Sequence, residues 1–88
     1  MERMPTVLRV GAFRVLILFP PREHSPPHVH VVNADGVAVI YLAGHGRPQR
    51  TDRIEGMKSP DVRKAERIVR ENAAWLLEKW GAIHGNQD

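Results

Sequence analysis

Cysteine is absent from the 88-residue chain, which excludes disulfides, thiolate metal sites and a cysteine nucleophile. A secreted domain of this size generally relies on disulfides, so their absence favours the cytoplasm. Long hydrophobic runs are absent too. The longest, Val15 to Phe19, is far too short to cross a bilayer, so no membrane partner is expected. Met1 to Pro5 carries charge without a following apolar stretch, and no signal peptide is expected there. Aromatic residues make up only 6% of the chain, and no helix-turn-helix, zinc-finger or aromatic stacking pattern can be read. Gly44-His45-Gly46 lacks the strand and helix that a phosphate-binding loop needs. Nothing places a serine beside a histidine for a Ser-His-Asp triad. Internal repeats and low-complexity tracts are lacking as well.

What is present suits one small domain. The apolar fraction of 42% and charged fraction of 26% are those of a globular chain, which argues against disorder. So short a chain buries a modest core, and a partner or second copy would add stabilising surface. The formal charge of +3 is mildly basic. It permits nucleic acid or an acidic protein as partner without demanding either. Ten of the thirteen basic residues are arginines, the better side chain for bidentate phosphate contacts.

Alternation places strands at Thr6 to Val10 and Phe13 to Phe19, joined by a turn at Gly11-Ala12. Pro20-Pro21 stops the second strand, and Pro20 to Pro27 reads as a stiff extended loop. His28 to Val32 and Val37 to Leu42 form a hairpin around Asn33-Ala34-Asp35-Gly36, with Gly36 available for a positive φ. Gln49 to Ile54 reads either as a short edge strand or as part of a loop. Ser59 is a good N-cap, Pro60 suits the first helical position, and Asp61 favours the helix dipole. Val62, Ala65, Val69, Ala73, Leu76 and Trp80 make an apolar stripe, flanked by Ile68, Trp75 and Leu77, and Gly81 is the expected stop. Trp75 is expected at the edge of the core. The expected fold is α+β: an antiparallel sheet of about four strands over residues 6–54, packed on one long C-terminal helix over 59–81. The second sheet face would then be bare and apolar, which points to a homo-oligomer or a protein partner.

The segment from Glu23 to His30 reads as the site. His28 and His30 lie two apart on a strand, so both imidazoles share a face while Val29 and Val31 turn to the core. His24 and Glu23 stand in the stiff loop just before. Three imidazoles and a carboxylate in one short stretch have the donor set for zinc or another divalent metal, with His24, His28 and His30 as candidate ligands. The same groups, His24, His28, His30 and Glu23, are also candidate catalytic residues without metal. Imidazole titrates near neutrality, and an acid–base pair suits phosphodiester or acyl chemistry. Arg14 and Arg22 are the nearby candidates for charge stabilisation. A purely structural role, bracing the proline loop, is the third reading. Arg47, Arg50, Arg53 and Lys58 are the better candidates for nucleic-acid contact. Arg63, Arg67 and Arg70 on the helix read as a solvated face, with Glu66 placed to pair with Arg70 and Arg67 with Glu71. Tyr41 is given no role.

Met4-Pro5-Thr6-Val7-Leu8-Arg9, then Glu23-His24-Ser25-Pro26-Pro27-His28-Val29-His30-Val31, then a C-terminal helix ending in Trp80, resembles a family of small bacterial proteins grouped as a domain of unknown function, DUF4160. The chain departs from that family's pattern between Gly44 and Gly56. The resemblance implies a stand-alone bacterial cytoplasmic protein, one half of a toxin–antitoxin-like gene pair whose partner comes from the neighbouring gene. It brings no activity, only attention to His24, Pro26, Pro27, His28 and His30. The expected function is a regulatory or interaction component of such a module, with nucleic acid as a possible ligand. The alternative is a small histidine-dependent phosphodiesterase or ribonuclease.

Overall fold

A computed structural model describes residues 6–18 and 26–85. It is α+β, as expected, but with five strands and two helices in place of four and one. Strands β1 (Thr6–Val10), β2 (Phe13–Leu16), β3 (His28–Val32), β4 (Val37–Tyr41) and β5 (Arg50–Glu55) form one antiparallel sheet in chain order. Helices α1 (Ser59–Glu71) and α2 (Ala73–His84) follow. Residues 19–25, which include Glu23 and His24 and most of the expected stiff loop, lie outside the described residues. No described helix is long and apolar enough to span a membrane.

The inner face of the sheet carries Phe13, Val15, Val29, Val31, Ala38 and Ile40, all buried. They pack with Met57, Val62, Ala65, Ile68, Val69, Leu76 and Trp80 into one core. The helical stripe read from the sequence is thus the stripe that covers the sheet. Trp75 departs from it, being 40% exposed with the Lys79 ammonium 5.2 Å from its ring centre.

The helix divides at Asn72 for a local reason. The Asn72 side-chain amide donates to the Ile68 carbonyl at 2.8 Å, the acceptor its own backbone N–H would use in an unbroken helix. That N–H bonds the Val69 carbonyl at 3.2 Å instead, and the Asn72 carbonyl then accepts from Leu76 N as α2 begins. Gly81 is buried inside α2, and the stop falls at Gly85, which is left-handed at φ 74. At the other end Lys58 occupies the N-cap position, so Ser59 is already helical and forms no side-chain cap.

Strand β5 resolves the stretch the sequence left open. It is an edge strand made mostly of charged residues, a composition that discourages edge pairing. Register against β4 slips between Val39 and Ile40: Val39 faces Arg53 and Ile40 faces Thr51, so Asp52 is an extra, bulged residue. The bulge puts Arg50 and Arg53, opposite Tyr41 and Val39, on one face, where unbroken alternation would have separated them. Thr51 turns inward, and its hydroxyl donates to the Glu66 carboxylate on α1. Gln49 donates to the Glu66 backbone carbonyl at 2.9 Å. Glu66 is therefore committed to β5, and neither the Glu66–Arg70 nor the Arg67–Glu71 pair forms among the described residues.

Candidate functional site

The candidate site is the outer face of the sheet, opposite the helices. Cross-strand register sets its side chains in rows. One row runs Leu16, His30, Val39, Arg53, and the next runs His28, Tyr41, Arg50. The bare apolar face expected from the sequence is not what forms. Leu16 and Val39 on this face are 3% and 5% exposed, and the row beside them is aromatic and basic.

His28 is 9% exposed and held in place. Its Nδ1 lies 2.9 Å from the Pro26 carbonyl oxygen. A carbonyl can only accept, so Nδ1 carries the proton and, in the neutral ring, Nε2 carries the lone pair. The adjoining Pro27 carbonyl accepts from Leu42 N at 3.0 Å. The proline pair is thereby tied to β3 and β4. The His28 ring lies 5.0 Å from the Tyr41 ring, tilted by 32°, and 5.7 Å from the His30 ring, tilted by 55°. The Arg50 guanidinium carbon stands 4.7 Å from the centre of the Tyr41 ring, a cation–π contact.

Beside this row a cleft of about 270 Å³ opens, lined by Pro26, Tyr41, Leu42, Arg47, Pro48 and Arg50. Of the four basic candidates, Arg47 and Arg50 meet here. Arg53 stands further along β5, and Lys58 lies past the opposite end of that strand, at the start of α1. Two pairs neutralise part of the charge: Arg50 with Asp52 at 3.2 Å and Arg53 with Glu55 at 3.4 Å. Both are exposed and weak.

His28 and His30 share a face as expected. Among the described residues no three His, Cys, Asp or Glu side chains are grouped to hold a metal ion. His24 and Glu23, the remaining ligand and base candidates, lie outside the described residues, as does Arg22. Sequence reasoning missed Tyr41. Its signal was available only through register, since Tyr41 pairs directly with His28 across the hairpin.

Fold and site together define a small α+β domain with one sheet face covered by helices and the other carrying histidine, tyrosine and arginine. The chain belongs to the family described as Domain of unknown function (DUF4160), whose sequence profile matches residues 13–81, from β2 through most of α2. Comparison with curated proteins and with solved structures found no match.

Proposed function

We propose that this chain is a regulatory binding module of the cytoplasm, one half of a toxin–antitoxin-like gene pair, and that it engages single-stranded nucleic acid across the outer sheet face. The row His28, Tyr41, Arg50 carries the reading. Single strands are commonly bound on sheet faces where aromatic rings and guanidinium planes stack on bases and cations meet phosphates. Tyr41 holds the Arg50 guanidinium over its ring, and the bulge at Asp52 sets Arg53 on the same face. The gene-pair role rests on the resemblance alone.

A fluorescent single-stranded RNA titrated with the protein at low salt is expected to bind. Stacked bases contribute about 1–3 kcal/mol each, so Tyr41→Ala should weaken binding about tenfold or more. No binding by the natural chain would sink the reading.

One observation favours a second reading, a phosphodiesterase. The Pro26 carbonyl fixes the His28 proton on Nδ1 and directs the basic lone pair to Nε2, as a general base requires. His30 is near enough to be its acid partner, or both could serve with His24 as ligands of zinc or another divalent ion. Cleavage of the same RNA, abolished by His28→Ala or His30→Ala, would put this reading first.

A further inference from the structure

The geometry points to a specific use of the cleft: it is a subsite for one nucleoside monophosphate unit of a single strand. The base lies against the proline and tyrosine surfaces, and the phosphate meets Arg47 and Arg50. This inference rests on the reading of the outer face given above and narrows it.

Size decides first. At about 270 Å³ the cleft falls just below the range of roughly 300–1,000 Å³ that encloses a drug-sized ligand. It suits one flat ring with its phosphate and cannot take a folded partner. Composition decides next. Pro26, Pro48, Leu42 and the Tyr41 ring give apolar walls, while Arg47 and Arg50 are the charged lining residues among the described residues. An apolar slot carrying two guanidiniums is complementary to a flat body bearing an anion.

The walls are also fixed in advance. Pro26 is held by His28, and Pro27 by Leu42. Arg47 sits at the end of a tight turn closed by two backbone bonds, Gly44 N to the Arg47 carbonyl at 3.0 Å and Arg47 N to the Gly44 carbonyl at 2.9 Å. Both central residues of this turn have positive φ, His45 at 53° and Gly46 at 81°. Such a turn is compact and well defined, and a non-glycine residue there is uncommon. The strain at His45 goes with a fixed position for Arg47 at the cleft. Arg47 forms no ion pair among the described residues, so its guanidinium is open to a phosphate. Arg50 already meets Asp52, and an incoming phosphate competes with that exposed carboxylate.

The test is an amide NMR titration of the full chain with AMP, UMP, adenosine, inorganic phosphate and an acidic peptide, each alone. Expected are saturable shifts at Tyr41, Leu42 and Arg47 with AMP or UMP. Adenosine should bind about tenfold more weakly, and Arg47→Ala should weaken AMP about tenfold at an unchanged melting temperature. Equal binding of phosphate alone would reduce the cleft to a simple anion site and overturn the proposal. So would shifts from the acidic peptide but not from the nucleotides. The two readings separate cleanly. RNA binding that survives Arg47→Ala, with no response to AMP or UMP, refutes the cleft and leaves the sheet face standing. Failure of RNA and mononucleotides alike refutes both.

Discussion

At Gly36 the fold has no room for a side chain. A Cβ there would lie 1.9 Å from the Glu55 carbonyl oxygen and 2.6 Å from Met57 N, both backbone atoms at the end of β5. Gly56 faces it, left-handed at φ 80, and a Cβ on that residue would lie 2.5 Å from the Asp35 carbonyl oxygen. The turn between β3 and β4 therefore presses directly on the connection from β5 to α1. Gly36→Ala is expected to cost about 3 kcal/mol or more, as severe overpacking does. In a domain of this size that lowers the melting temperature by roughly 12 °C or more, measured by calorimetry. A shift of only a degree or two would show that the strand end moves aside. The turn itself was legible in Asn33 to Gly36. Asn33 Oδ1 accepts from Asp35 N at 2.9 Å and Gly36 N at 3.0 Å, as a turn-forming asparagine does. The reason for glycine was not legible. Gly36 does not have the positive φ expected of it. Its constraint comes from a strand far along the chain, which no local pattern announces.

Among the elements, α2 is fastened to the sheet by its last residue. His84 is 8% exposed, its ring stacks on Trp80 at 4.0 Å, and its Nε2 donates to the Leu18 carbonyl at 2.9 Å. Leu18 lies just past the end of β2, which closes at Leu16. His84→Ala removes packing and a buried hydrogen bond together and is expected to cost about 2–3 kcal/mol. His84→Phe keeps the ring and should cost about 1 kcal/mol. Thermal melts of the two variants check the difference, and equal losses would leave the hydrogen bond without a role. Strands β1 to β4 were readable because one face of each alternates toward the core. Strand β5 was obscured by its charges and by the bulge at Asp52, which breaks the alternation that would have revealed it. The division at Asn72 was hidden because the apolar stripe runs straight through it. A stripe reports which face is buried and says nothing about which carbonyl a side-chain amide captures.

Over the whole molecule the two sheet faces divide the work. The inner face and the helices hold the fold, and the outer face gathers the polar chemistry. The histidines marked that outer face in the sequence, but Tyr41 and the alignment of Arg50 with Arg53 emerged only from register, which a strand pattern alone does not supply. If Arg47, Arg50 and Arg53 each meet a phosphate, the logarithm of the RNA affinity should fall with that of salt at a slope of about −2, since each contact on a single strand contributes about −0.7. Arg47→Ala should flatten the slope by about 0.7. Anisotropy titrations at several salt concentrations give both numbers, and a flat response would rule out phosphate contacts.

The chain order of the sheet has a consequence for folding. Each strand pairs only with its neighbour in sequence, so the sheet closes through successive local hairpins and needs no distant segment. All five strands precede Ser59 in the chain, and the sheet can pair before either helix packs on it. Until the helices dock, Phe13, Val15, Val29, Val31 and Ile40 on the inner face lack their cover. Aggregation hazard is thus greatest in the chain whose sheet has paired but whose helices have not docked, and it ends when Leu76 and Trp80 close the inner face.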